Sequence, residues 1–215
     1  VIDVYYKMQA LHKCGVKIIL HCFEYERPHS KELESLCEKV YYYKRKTGLL
    51  TNITLLPYNV FSRKDPELLK NLLENDYPIL FDGLHTCYYI NHPQLQRRMK
   101  IYRESNIEHD YYRHLAKAET KHADLMLVVS ITDTNYLRKV FPKKKIEYMP
   151  SFHVNDEISV KSGSSDFVLY HGKLSVTENT RAALYLIKNV FCKLKYPCII
   201  AGMNPPATLF AAAAP

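Results

Sequence analysis

The chain has 215 residues, 47% of them hydrophobic, and a formal net charge of +8. That suffices for one large domain or for one and a half ordinary ones with a sizeable core. No apolar run reaches the ~18 residues of a membrane-spanning helix, and neither zinc-finger spacing nor an RNP-type aromatic motif accompanies the positive charge.

The first predicted element is a helix from about Val4 to Lys13, with Tyr5, Met8 and Leu11 at helical spacing and Gly15 as its stop. Val16–Phe23 is a continuous apolar run of the kind a buried parallel strand shows. A short helix over Lys31–Cys37, a strand at Lys39–Tyr43 and a helix at Glu67–Leu73 follow. Pro78–Phe81 is a short strand ending in Asp82-Gly83, and Arg98–Arg103 is another. Then come a helix over about 108–118, a strand at Leu125–Val129, a helix at Ile131–Val140 and a strand at Lys145–Met149. Ser130 with Asp133 forms a capping box, which accounts for that serine without a functional role. Strand and helix alternate throughout, so residues 1–150 predict a domain built on a parallel sheet.

Residues 151–166, with Gly163 among serines and no helical period, predict an interdomain connection. From Phe167 a fresh βαβ unit begins. Its parts are a strand to His171, the turn Gly172-Lys173, a helix whose capping box is Ser175 with Glu178, and a strand at Cys198–Ala201. Residues 167–215 therefore read as the start of a second domain. The helix at the opening predicts a first strand ahead of Val1, and the junction Glu119-Thr120-Lys121 predicts a missing helical stretch there. The four alanines 211–214 read as positions without side-chain identity, and the second domain as continuing past Pro215.

Basic clusters stand at Lys44-Arg45-Lys46, Arg97-Arg98 and Lys143-Lys144-Lys145. They read as solvated surface or as a face that attracts a phosphate-bearing ligand or an anionic membrane. Six cysteines, with no CxxC pair and most within apolar segments, predict buried, reduced thiols. The motifs GxGxxG, GxxxxGK[ST] and GxSxG are absent from the sequence.

Four segments together resemble the GT-B glycosyltransferases, in particular the bacterial retaining group of family 4. They are YRESNIEHDYY (102–112), ADLMLVVS (123–130), IEYMPSFH (146–153) and YHGKLSVTENTRAALYL (170–186). The resemblance implies an α/β protein of two Rossmann-like domains, the second only partly present. The first domain would serve the acceptor and the second the nucleotide-sugar. It implies transfer of a hexosyl group, with retention, to a glycan or lipid-phosphate acceptor in polysaccharide or glycolipid synthesis. No metal and no separate cofactor take part, and the setting is cytoplasmic, with peripheral contact at the inner membrane face.

By the same resemblance, Gly172 and Lys173 meet the donor diphosphate, and Asn179 stands where relatives often carry a second lysine. His85, just after Asp82-Gly83, corresponds to the histidine beside the reacting sugar. Asp82, Arg103, Asn106, Glu108 and His109 form the acceptor side of the cleft, unless Arg103 simply pairs with Glu104 or Glu108. Two glutamate pairs, Glu24/Glu32 and Glu26/Glu34, match the spacing of the family's donor-binding glutamates but fall in the wrong domain. The matching pair is expected beyond Pro215. The alternatives to an enzyme are a non-catalytic nucleotide- or sugar-binding relative and, on charge alone, a basic nucleic-acid-binding α/β protein.

Overall fold

The computed structural model describes residues 2–24, 29–47, 58–104, 121–155 and 157–213. The chain divides into two compact units, Val1–Asp156 and Glu157–Pro215. Both are α/β, and every strand pair among the described residues is parallel. The division falls within the polar segment 151–166.

Unit 1 opens with α1 (Ile2–Lys13). The helix closes as a Schellman turn, with the Gly15 amide on the His12 carbonyl at 2.9 Å and the Val16 amide on Leu11 at 3.0 Å. Next come β1 (Ile19–Phe23), α2 (Lys31–Ser35) and β2 (Lys39–Tyr43). Ser30 starts α2 by accepting from the Leu33 amide at 3.3 Å. A short helix α3 (Tyr58–Phe61) leads to α4 (Pro66–Leu72). Asp65 caps α4, and Pro66 fills a first-turn position that needs no amide hydrogen.

Four strands then build one sheet in chain order: β3 (Ile79–Asp82), β4 (Lys100–Glu104), β5 (Leu125–Val128) and β6 (Lys145–Tyr148). The helix α5 (Ile131–Val140) joins the last two, with Ser130 accepting from the Asp133 amide. Tyr102, Met126, Val128, Leu95 and Leu137 are almost wholly buried and form the centre of the core. β1 and β2 make a separate pair, tied by side chains to α4 and the turn after it. The Tyr43 hydroxyl meets Asn71 Nδ2 at 3.0 Å, and Tyr41 donates to Glu74 at 2.5 Å.

Unit 2 contains β7 (Val168–His171), α6 (Thr177–Asn189), β8 (Cys198–Ala201) and α7 (Ala207–Ala213). Leu174, Ala183 and Leu209 are its buried centre, with Tyr170, Ile187 and Ile200 packed around them. Alternation along the strands sends the register partners Leu169 and Ile199 to the opposite face. There they remain exposed, at 53% and 43%.

Two expectations need correction. The helix after Lys173 has Val176 at its N-cap, with no side-chain cap bond, in place of a Ser175–Glu178 box. A tight turn, Val176 amide to Lys173 carbonyl at 3.1 Å, leaves Ser175 ahead of the capping position. Of the six cysteines only Cys87 is buried, while Cys14 and Cys192 lie exposed in turns that follow helices. The predicted helix at 108–118 lies outside the described residues. Among those that are described, no helix is long and apolar enough to cross a membrane.

Candidate functional site

Parallel α/β sheets offer ligands the carboxyl ends of their strands. In unit 1, Asp82 ends β3 beside its register partner Arg103 on β4. The Arg103 side chain is fully buried. It bonds Asp3 through both terminal nitrogens, the second at 3.1 Å, and donates to the Pro150 carbonyl at 3.2 Å. Asp82 Oδ1 lies 3.9 Å from Arg103, and its other oxygen accepts from Lys7 Nζ. The Phe152 amide donates to Asp3 at 2.6 Å. Two acids and two bases thus close a neutral network under the end of the sheet. Arg103 Nε alone in it finds no partner among the described residues.

Glu108 lies outside the described residues, among which Arg103 pairs with Asp3 and Asp82. Successive residues of a strand point to opposite faces, so Glu104 cannot follow it. Asp3 and Lys7 stand four apart on α1, a spacing that reads as a pair within the helix. The structure turns both toward the sheet, and nothing in their local sequence announces that. Burial would raise the Asp3 carboxyl, but the bonds from Arg103 and Phe152 outweigh it and hold the group below its ordinary value. Burial pushes the Lys7 ammonium down, against the pull of Asp82.

His85 follows on a 3-10 turn, Leu84–Tyr89. Gly83 before it has φ 81°, and a Cβ there would sit 2.7 Å from the imidazole Cε1. A side chain at position 83 and the present His85 ring are therefore incompatible. His85 is exposed; partial loss of hydration beside the protein is the first cause that lowers its pKa to about 4. Arg63 and Arg45 push it in the same direction. Near pH 7 the ring is neutral, suited to a hydrogen bond rather than to a positive charge.

In unit 2, Gly172, Lys173 and Asn179 lie together where β7 runs into α6. Asn179 Nδ2 donates to the Lys173 carbonyl at 3.1 Å, and Thr180 Oγ1 to the Leu174 carbonyl at 2.6 Å. The Lys173 side chain is exposed. The Gly172 amide bonds the Ala201 carbonyl at 3.1 Å. A Cβ on Gly202 would lie 1.8 Å from the Gly172 carbonyl oxygen, so the two strand ends touch backbone to backbone. Sequence reading places Gly172 and Asn179 at a ligand, and the structure adds that Asn179 Nδ2 holds the turn. Gly202 is part of the same construction, and its only sequence signal is a glycine ending an apolar strand. An apolar hollow of about 480 Å³ lies farther along, between β8 and α7, lined by Leu174, Ile187, Cys192, Ile200, Leu209 and Phe210. It lacks convergent polar groups.

Asn106, Glu108 and His109 lie outside the described residues, as does Glu26. Among the described residues no cluster of three or more His, Cys, Asp or Glu side chains is arranged to hold a metal ion. Compared with family models, curated proteins and solved structures, the chain matches none.

Proposed function

We propose that the chain is a GT-B-type glycosyltransferase that moves a sugar from a nucleotide-sugar to a phosphate-bearing or glycan acceptor, with retention and without a metal. The observation that carries this reading is the turn of unit 2. An exposed lysine stands at the end of a parallel strand, its backbone fixed by Asn179, ahead of a 13-residue helix whose N-cap residue supplies no side chain. Free amide hydrogens, a helix dipole and a cation there suit a diphosphate. In the reaction the bond from the anomeric carbon to the diphosphate breaks. The acceptor oxygen bonds to that carbon, and its proton leaves with the phosphate. Lys173 stabilises the charge that builds on the leaving group.

His85 on unit 1 is assigned to the acceptor, where a neutral imidazole accepts or donates a hydrogen bond to a hydroxyl. A role in bacterial polysaccharide or glycolipid synthesis, at the cytoplasmic side of a membrane, follows from the sequence resemblance. Replacement of Lys173 by alanine is expected to cut donor turnover at least tenfold, and unchanged turnover would refute the assignment. For His85→Ala, full transfer at normal donor affinity would refute the acceptor role.

A non-catalytic nucleotide- or sugar-binding protein is the second reading. One observation favours it: Asp82 and Arg103 are committed to Lys7 and Asp3, which leaves fewer groups for chemistry on unit 1. Donor binding without any turnover, across a broad acceptor panel, is its signature.

A further inference from the structure

The last strand of unit 1 passes the chain on to the polar segment that leads to unit 2. Its ladder runs one residue past β6, where the Met149 amide bonds the Val128 carbonyl at 2.8 Å. Pro150 has no amide hydrogen, so the ladder stops there. The chain is nevertheless held as far as Phe152. The Pro150 carbonyl accepts from Arg103 at 3.2 Å, and the Phe152 amide donates to Asp3 Oδ1 at 2.6 Å. The Arg103 guanidinium carbon also stands over the Phe152 ring, 5.6 Å from its centre.

Beyond Phe152 the character of the chain changes. Every described residue from 153 to 169 is exposed. Among the described residues of 153–166 the hydrogen bond that forms is local, from the Asn155 amide to His153 Nδ1 at 3.2 Å. Ile158 and Val160 stand 92% and 85% in solvent, so not even the apolar side chains of this stretch are packed. The boundary between held and unheld backbone is therefore sharp, and it lies between Phe152 and His153.

The groups that hold Pro150–Phe152 come from distant parts of unit 1. Asp3 lies in the first turn of α1, 149 residues before Phe152, and Arg103 on β4, 47 residues before Pro150. A single carboxylate joins them. Asp3 Oδ1 accepts from the Phe152 amide and from one Arg103 nitrogen, and Oδ2 accepts from the other. Bonds to an ionised acceptor are about twice as strong as neutral ones. Arg103 is fully buried, so its guanidinium is a fixed post, whereas Asp3 keeps 30% of its side chain exposed. Loss of the carboxylate removes the acceptor of the Phe152 amide and the main counter-charge of Arg103 together.

We propose that Asp3 and Arg103 form a latch that fastens Pro150–Phe152 to unit 1 and so fixes the start of the pivot between the two units at His153. With the latch open, the pivot starts at Pro150. The latch is built from unit 1 alone, so it stands whether or not the protein transfers a sugar.

The test is amide-nitrogen NMR relaxation on the whole chain at pH 7, which gives an order parameter for each backbone amide. Rigid backbone reads about 0.85 and flexible backbone below about 0.6. The wild type is expected to keep rigid values through Phe152 and to fall into the flexible range between Val154 and Lys161. In Asp3→Ala the fall is expected to reach Ser151 and Phe152, while Met126, Val128 and Ile146 in the sheet keep their values. Should that variant fail to fold, the wild-type profile decides, because the latch requires the step to come after Phe152. Flexible values at Ser151 and Phe152 in the wild type would overturn the latch. Rigid values at both residues in a folded Asp3→Ala would overturn it too. Rigid values throughout 153–166 in the wild type would overturn the pivot.

Discussion

Replacing Gly202 with alanine puts a methyl group 1.8 Å from the Gly172 carbonyl oxygen and 2.8 Å from Leu174 Cγ. Ordinary contact requires about 1.5 Å more, and the nearest obstacle is backbone, which has no rotamer to change. The ends of β7 and β8 must part. That breaks the Gly172–Ala201 hydrogen bond, worth about 1 kcal/mol. It also unseats Leu174, one of three buried residues at the centre of unit 2. Overpacking of this kind costs about 1–3 kcal/mol, so the whole effect is about 2–4 kcal/mol. Alanine at Gly172 provides the contrast, because its Cβ meets nothing closer than Asn179 Cγ at 3.4 Å. Hydrogen exchange reads the two units separately. Amides of β7, α6 and β8 are expected to lose protection in Gly202→Ala while those of unit 1 keep it, and Gly172→Ala is expected to change little. Wild-type protection in Gly202→Ala, or equal loss in both variants, would refute the reasoning.

Alanine at Gly83 combines a left-handed backbone with a clash against the His85 ring. It should cost about 1–3 kcal/mol and move the His85 imidazole resonances, and an unmoved ring would contradict the geometry. Asp3→Asn leaves the buried Arg103 without its main counter-charge and should cost about 3 kcal/mol in urea unfolding. Because the folded Asp3 carboxyl lies below its unfolded value of 3.8, the stability it contributes is complete above that pH and is lost as pH falls further. His21 is half-buried between Tyr41 and Tyr43. Burial first, and Arg98 next, lower its pKa from 6.5 to about 4. The unfolded chain therefore takes up the proton first, and stability falls as pH drops from 6.5 toward 4, by up to roughly 3 kcal/mol. His21→Phe should lessen the fall of the urea midpoint across that range, His85 and His122 keeping their own shares, and an unchanged slope would refute the assignment.

Elements with one dominant local signal were readable from the sequence. The strands Lys39–Tyr43 and Cys198–Ala201 and the helix Ile131–Val140 stand where their apolar periods and the Ser130 cap put them. Elements without such a signal were not. The helix Tyr58–Phe61 and the 3-10 turn Leu84–Tyr89 are too short to show a period, yet together they position His85, Arg63 and Lys64. The sequence pointed to Asp82 and Arg103 as residues at a strand end, but not to their partners. Asp3 precedes Arg103 by 100 residues, and only tertiary folding joins them. The turn at Gly172-Lys173 was legible as a turn. Its contact with Gly202 was not, because close backbone approach leaves no trace in composition. The three basic clusters looked alike in sequence, and only folding shows their partners: Arg98 and Lys144 donate to backbone carbonyls, and Arg45 donates to the Ser62 hydroxyl.

The central claim is that the turn after β7 seats the diphosphate of a nucleotide-sugar. Titration with UDP-, GDP- and CMP-sugars, followed by thermal stability in the wild type and in Lys173→Ala, tests it most directly. The account predicts a stabilising shift with one nucleotide class that is lost in the variant. No shift with any of them, or a shift that Lys173→Ala leaves intact, would contradict it.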